Sequence, residues 1–412
     1  MLLDHINQSE DDFWLVGGCL RNAFLDSPQT DIDIVCSNDP TSLIQQWANS
    51  VGGKWFWLDA QRKQSRVLLP GGLTIDIAML RAATINQDLS LRDFTINSIA
   101  SLLSKDFPAV DIIDPLHGIE ALKNHQITYC SISSFCDDPL RILKGIRHAV
   151  DLDFEITPLT LAAMTLSAPL IRAIAGERIL AELGKIFAST EVTRGIELLL
   201  DTGILTVVFG SPTESCIKDV LLAEIKTLYE QITNLGPIAS TKPLKTTISD
   251  QIPPAAIFIF ARLIKLYKPK NVSTLLHDRL RFSRQQERLI TELLNEPDTK
   301  LVELASTLTE ERQQALLMER LGPFATEILL NSSVFCYKLT IERLNKLQQS
   351  FEAIQINGRI PDLISGELLI ANFRGLPSNQ IGKWQQAIKT AEIDGKITTS
   401  VEAEVWLREK LN

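Results

Sequence analysis

Asp31-Ile32-Asp33-Ile34-Val35 sets two carboxylates one residue apart in a run of β-forming residues. Side chains of a strand alternate between its faces, so Asp31 and Asp33 project together while Ile32 and Ile34 enter a core. Neighbouring carboxylates repel each other unless a cation joins them, and a hard, oxygen-seeking Mg²⁺ suits such ligands. Thirteen residues before Asp31, Gly17-Gly18 ends the apolar run Phe13-Trp14-Leu15-Val16, read as a strand, and leads into a short helix over Cys19 to Leu25. Bare amides at that helix start give a triphosphate a seat. Arg21, one turn in, adds a charge-assisted contact. Asp76, in the alternating run Leu73 to Ala78, is a candidate third carboxylate or a lone acid on the wet face of a strand. Alone, a Gly-Gly pair is a plain turn and Asp-x-Asp a solvated pair. In this order and spacing they point to metal-assisted chemistry on a phosphate chain.

The elements that would position these groups change along the chain. Up to about residue 128, β-rich runs alternate with turns: Phe13 to Val16, Asp31 to Val35, Trp55 to Leu58, Ser65 to Leu69 and Leu73 to Ala78. From about Asp138, apolar residues recur at three and four, as in Leu140, Leu143 and Ile146, which predicts helix throughout. Ser211 to Glu214 and the Pro-, Ser- and Thr-rich Leu235 to Pro254 read as loops or linkers.

At 412 residues with 45% hydrophobic and 22% charged residues, the chain can bury several cores. Asp4, Glu10, Asp11 and Asp12 near the start are the opposite of a basic secretory leader, and the apolar run Ala255 to Ala261 is too short to span a bilayer. A cytoplasmic protein without a membrane partner is expected. The six cysteines, Cys19, Cys36, Cys130, Cys136, Cys216 and Cys336, lack zinc-like spacing and read as reduced, mostly buried thiols. The five histidines, His5, His117, His125, His148 and His277, form no nucleophilic constellation with Ser or Cys and read as structural. The net charge of −9 argues against nucleic acid as a partner. One stretch runs the other way: Arg262, Lys265, Lys268, Lys270, Arg279, Arg281, Arg284 and Arg288 face only Asp278 and Glu287. It is either a solvated helix face or a surface for backbone phosphate.

Three motifs then occur in order: Gly17-Gly18-Cys19-Leu20-Arg21 with Asp31-Ile32-Asp33; Arg92-Asp93-Phe94-Thr95-Ile96-Asn97; and Asp137-Asp138-Pro139-Leu140-Arg141-Ile142-Leu143-Lys144-Gly145-Ile146-Arg147. Together they resemble the class II tRNA nucleotidyltransferase and bacterial poly(A) polymerase family. Weaker echoes lie in Ile113 to Gly118, in Glu177-Arg178-Ile179 with Glu182-Leu183, and near Leu363 to Gly366 and Ala391 to Gly395.

The resemblance implies an α+β, polymerase beta-like head with a mixed sheet over 1–128. An all-α neck (129–195), body (196–300) and tail (301–412) would follow and grip the tRNA. It implies that Gly17, Gly18 and Arg21 hold the triphosphate and that Asp31 and Asp33 hold Mg²⁺. Arg92 would contact the nucleotide, with Asp93 and Asn97 near its ribose. Asp138 and Arg141 would read the base edge, and Lys144 and Arg147 would continue towards the phosphates. The spacing agrees: Asp138, Arg141 and Lys144, three apart on a helix, would be neighbours, and a carboxylate beside a guanidinium matches a base edge. A plain surface salt bridge gives the same spacing. In the basic stretch, Arg262, Lys265, Arg279, Arg281 and Arg284 are the expected tRNA contacts.

Departures from the family pattern are Asn22 for Asp, Leu91 for a second Arg, Asp137 for Glu, Lys144 for Arg and Ala121 for Asp. One interval is short. Residues 82–91 make only ten between Arg81 and Arg92, where the family usually carries a longer flexible loop. That shortness resembles the branch that adds two cytidines and stops. The expected activity is therefore template-independent addition of C residues to tRNA from CTP, with full CCA addition, A addition from ATP and polyadenylation as alternatives. A non-catalytic RNA-binding protein and a transferase acting on small molecules are the rivals from other classes.

Overall fold

The computed structural model describes residues 2–28, 31–103, 111–212, 217–234, 254–295, 299–335, 339–373 and 376–411. They form two compact units, Met1–Ser211 and Pro212–Asn412.

The first unit is built on a seven-stranded sheet, β1 (Phe13–Val16), β2 (Asp31–Cys36), β3 (Lys54–Asp59), β4 (Gln64–Leu68), β5 (Thr74–Met79), β6 (Ala100–Leu102) and β7 (Ile112–Ile113). Its spatial order is β3-β4-β5-β2-β1-β6-β7. β2 and β5 run parallel and the other pairs antiparallel, so the sheet is mixed, as expected. One face is closed by helices α1 (Leu2–Ile6) and α3 (Thr41–Ser50), where Ile34, Ile75, Ile77 and Val67 pack with Ile44 and Trp47. Among the described residues, the other face is closed over β1, β2 and β6. There Trp14, Val16, Val35 and Ala100 pack with Leu80 and with Leu89 of α4 (Ile85–Ser90). The part of that face over β5, β4 and β3 carries the exposed Phe56 and Leu68. Helix α2 (Gly18–Phe24) starts one residue earlier and ends one earlier than expected.

Helices α5 (Gly118–Lys123), α6 (Ser134–Asp137), α7 (Leu140–Asp151), α8 (Pro158–Ser167), α9 (Gly176–Ala188), α10 (Val192–Asp201) and α11 (Ile204–Phe209) complete the unit. α7 buries Leu140, Ile142, Leu143, Ile146, Ala149 and Val150. Gly145 lets it lie directly on Phe94, because a Cβ there would collide with the Phe94 ring and the Met164 methyl. The second motif is thereby seated on the third. The expectation of unbroken helix beyond residue 138 needs correction. Glu155–Ile156 is a strand, β9, paired in parallel with β8 (Gln126–Ile127). Two residues are too few to leave a period in the sequence, and the β-branched Ile127 and Ile156 fit a pleated surface.

In the second unit the described residues hold helices from Ile217–Asn234 to Ser400–Leu411 and no strand. Ile364, Leu369, Ile388, Ala403 and Leu407 form one of its cores. Of the predicted loops, Ser211 and Pro212 are irregular, while 213–214 and 235–253 lie outside the described residues. Cys19 and Cys36 are buried as expected, but Cys130 is half-buried and Cys136 exposed; Cys216 and Cys336 lie outside the described residues. Among the described residues no helix is long and apolar enough to cross a membrane.

One buried acid stands out in this unit. Glu327, in helix Ala325–Phe335, is 1% exposed, and neither of its carboxylate oxygens has a hydrogen-bond partner among the described residues. Burial pushes its carboxyl up to about 7. A carboxyl whose folded value lies above its unfolded value adds no pH-linked cost while protonated; that cost grows as pH rises from the unfolded value through 7 and then levels off. Denaturant midpoints should therefore fall between pH 5 and pH 8. Glu327→Met should remove that fall and gain about 3 kcal/mol at pH 8. Parallel pH profiles for parent and variant would remove Glu327 as its source.

Candidate active site

Gly17 leaves β1 with φ 77°, a left-handed conformation open to glycine, and α2 begins at the next residue. A Cβ on Gly17 would stand 3.1 Å from Asp33 Oδ2 and 3.4 Å from Arg92 Nη1. The turn, the second carboxylate and the second motif's arginine therefore meet at one point.

The parallel register sets Asp33 beside Asp76 and Asp31 beside Thr74, whose hydroxyl donates to Asp31 Oδ1. Burial, then the charges of Asp76 and Asp31, push the Asp33 carboxyl above the usual carboxylate range, while Arg92 and Arg66 pull it down. Asp76 is not an open ligand. Arg66, directly opposite on β4, grips it with two bonds of 2.6 and 2.8 Å. The described residues contain no group of three His, Cys, Asp or Glu side chains placed to hold a metal. The donors suited to a divalent cation are thus the pair Asp31 and Asp33, whose repulsion a cation would relieve.

Gly17 and Arg92 border this pair, and a separate set of polar side chains joins the motifs. Arg21 Nη1 donates to Asn97 Oδ1 at 2.8 Å, and Asn97 Nδ2 donates to Asp93 Oδ1 at 3.1 Å, linking the first two motifs. Arg21 is also held by Asn22, whose Oδ1 accepts from Nε and Nη2. Burial opposes ionisation of Asp93, but the Lys144 ammonium and the hydrogen bonds from Asn97 and the Phe94 amide outweigh it and hold the carboxyl low. Burial, with Arg147 and Arg21 close by, keeps His148 neutral. Arg147 itself donates to Glu182 at 2.8 Å and to Asp151 at 3.2 Å.

The third motif is partly displaced from its expected geometry. Asp138 does not lie on α7. It precedes Pro139, whose ring bars the residue before it from helical angles, and it is extended, with φ −145° and ψ 96°. Its Oδ1 accepts from the Leu140 amide and its Oδ2 from Arg178 Nη2, at 3.2 and 3.0 Å. Arg141 makes no salt bridge with it. It donates to the Leu91 and Arg92 carbonyls and to Ser134 Oγ, at 2.9 to 3.0 Å, tying α7 to the second motif.

One central residue was not anticipated. Asp88, in α4, is fully buried and accepts from Arg81 Nε at 3.1 Å and Arg92 Nη2 at 3.1 Å, and also from the Arg81 amide. Both ends of the ten-residue interval are pinned to one carboxylate, and Thr84 caps the helix between them. The i,i+4 spacing of Asp88 and Arg92 was the available signal. Arg66 gave no such signal, because its partnership with Asp76 exists only through strand register.

The basic stretch belongs to the second unit. Arg262 is held in a two-pronged ion pair by Glu224. Lys265, Arg281 and Arg284 are exposed, and Arg279 is half-buried, with burial lowering its proton affinity. Arg281 adopts φ 62° just after the π-helical turn Thr274–Arg279, and Ser283 caps the following helix, Arg284–Leu294.

Two family models match the chain: "Poly A polymerase head domain" over residues 13–128, and "Probable RNA and SrmB- binding site of polymerase A" over 153–214. A CC-adding tRNA nucleotidyltransferase of Geobacter sulfurreducens is 30% identical over 96% of this chain and 91% of its own length. The chain belongs to the tRNA nucleotidyltransferase and poly(A) polymerase family. It is therefore an enzyme of the nucleotidyltransferase class. A CC-adding tRNA nucleotidyltransferase of Synechocystis is 27% identical over 96% of the chain and 92% of its own. In fold, the chain is similar to the Thermotoga maritima CCA-adding enzyme complexed with tRNA, with a TM-score of 0.73, 22% identity, and coverage of 100% of this chain and 94% of that one.

Proposed function

We propose that this enzyme transfers two cytidylyl groups from CTP to the 3′ end of tRNA without a template and then stops. Relatives that match 96% of the chain carry CC-adding names. The observation that carries the reading is the interval between β5 and Arg92, which is a capped helix pinned at both ends by buried Asp88. A segment so held cannot reshape the pocket for a purine once the cytidines are in place.

In this reading Asp31 and Asp33 hold Mg²⁺, and Asp76, paired with Arg66, supports them as a neighbouring charge. The metal supplies a 3′-hydroxyl of lowered pKa and charge neutralisation on the α-phosphate and leaving pyrophosphate. The Gly17 and Gly18 amides with Arg21 and Arg92 hold the triphosphate. Arg92 Nε, buried and without a hydrogen-bond partner among the described residues, is a donor awaiting an acceptor there. Asn97 and Asp93 face the ribose. Asp138 and Arg141 read the cytosine edge by exchanging their bonds to Arg178 and the Leu91 and Arg92 carbonyls for the base, with Lys144 and Arg147 beyond. Lys265, Arg279, Arg281 and Arg284 meet tRNA backbone phosphate. The division into head, neck, body and tail at 128, 195 and 300 and a cytoplasmic location, where an exposed thiol such as Cys136 stays reduced, belong to the same proposal.

tRNA ending at its discriminator base, given CTP and ATP together, should gain two nucleotides, as it does with CTP alone. Extension by three with a terminal A at a comparable rate would overturn the CC reading. Extension only of tRNA already ending in CC, by one A, would place the enzyme in the A-adding branch.

A further inference from the structure

The strand registers place one residue from each of four strands in a single row across the sheet: Asp33 of β2, Asp76 of β5, Arg66 of β4 and Phe56 of β3. A second row beside it holds Asp31, Thr74, Leu68 and Lys54. Directly opposed residues project from the same face. The Arg66–Asp76 ion pair demonstrates this for the middle of the first row. Phe56, at its end, is 43% exposed, and Lys54 beside it is exposed as well. On the opposite face of β3, Trp55 is packed against the core.

The two flanks of Asp33 differ. Towards β1 and β6 the face is covered by the packing of Trp14, Val16 and Val35 with Leu80 and Leu89, and Arg92 and Gly17 border the carboxylate there. Towards β5, β4 and β3 the described residues leave the face open. A primer whose 3′-hydroxyl reaches Asp31 and Asp33 while a nucleotide occupies the Arg92 side must approach across that open flank. Strands lie about 4.8 Å apart, so Phe56 stands three spacings, roughly 14 Å, from Asp33. That distance fits a short unpaired run of nucleotides.

We propose that Phe56, with Lys54 at its side, is a stacking platform for an unpaired base of the RNA primer, just behind the reacting 3′ nucleotide. The proposal rests on the nucleotidyltransferase reading of the carboxylate pair. Its chemistry suits a growing end, because the base lying over Phe56 changes with each addition. An aromatic face accepts any base, and a nearby ammonium holds backbone phosphate whatever the sequence. No covalent step is assigned to either residue.

The test is steady-state CTP incorporation into tRNA ending in its discriminator base followed by one cytidine, which leaves an unpaired base behind the reacting nucleotide, varying tRNA and CTP separately, with thermal midpoints recorded for each variant. Phe56→Ala and Phe56→Leu should each raise the KM for tRNA about five- to hundredfold, the size of a lost base stack. The KM for CTP and the thermal midpoint should not change, and Phe56→Trp should keep the parent value. A KM for tRNA within twofold of the parent in Phe56→Ala would overturn the platform. So would a Leu variant as good as the parent, which would mark an apolar contact with something other than a base, or a rise confined to the KM for CTP. Failure of the parent enzyme itself to incorporate CTP would instead count against the wider reading on which the platform depends.

Discussion

Replacing Asp33 with Ala should lower CTP incorporation at least about a thousandfold while leaving the thermal midpoint at or above that of the parent. The rate follows from chemistry. Metal-assisted charge stabilisation in the transition state is worth several kcal/mol, and each 1.36 kcal/mol is tenfold. The stability follows from the environment. Asp33 carries its charge partly buried beside Asp76 and Asp31, and its carboxyl is pushed above the usual range. Removing it relieves repulsion that only a bound cation offsets. Asp31→Ala should fall comparably in rate, with less effect on stability, because Asp31 is exposed. A variant within tenfold of the parent rate would sink the assignment of these carboxylates.

Asp88→Ala should be the most damaging change outside the carboxylate pair. Asp88 is fully buried, and the Arg92 side chain it holds is 16% exposed. Breaking a buried ion pair by removing one partner typically costs about 3–5 kcal/mol, because the remaining charge stays buried without compensation. Here the remaining charge is Arg92, whose Nε already lacks a partner among the described residues. The loss should appear as a lower urea midpoint together with a raised KM for CTP, because Arg92 and the helix beside it lose their common anchor. Asp88→Asn, which keeps the shape and half of the hydrogen-bonding capacity, should fall between parent and Ala on both measures. Stability within 1 kcal/mol of the parent and an unchanged KM for CTP would show that the interval is held by α4 packing alone.

The first five strands were legible because each is a run of alternating or β-branched residues bounded by turns, and they were found within a residue or two. β6 and β7, Ala100–Leu102 and Ile112–Ile113, were not, because two or three residues carry no period. The motif residues Gly17, Asp31, Asp33, Arg92 and Asp93 were legible as types and spacings, and the sheet and its turns bring them together. Their partners were not. Arg66 meets Asp76 only through strand register, and Arg147 meets Glu182 35 residues away. Asp138 was misplaced because a three-residue spacing was read as helix across Pro139, where the ring's steric demand overrides the pattern.

The order of the strands also determines when the enzyme can first exist as a folded body. β1 lies between β2 and β6, and the Val16–Ala100 pairing spans 84 residues. The parallel pairing of Asp33 with Asp76 closes 43 more local residues through an antiparallel β3–β4 excursion. During synthesis, at about 5–20 residues per second, the strands β2 to β5 can assemble first, but one edge of β1 stays unpaired until Leu102 is available. An unpaired edge is a template for joining the wrong chain. Folding of this unit is therefore gated by a late, long-range event, a topology that folds slowly compared with local helical packing. The vulnerable interval on the ribosome is the one in which both aspartates are already present and the strand beside them still lacks its outer neighbour.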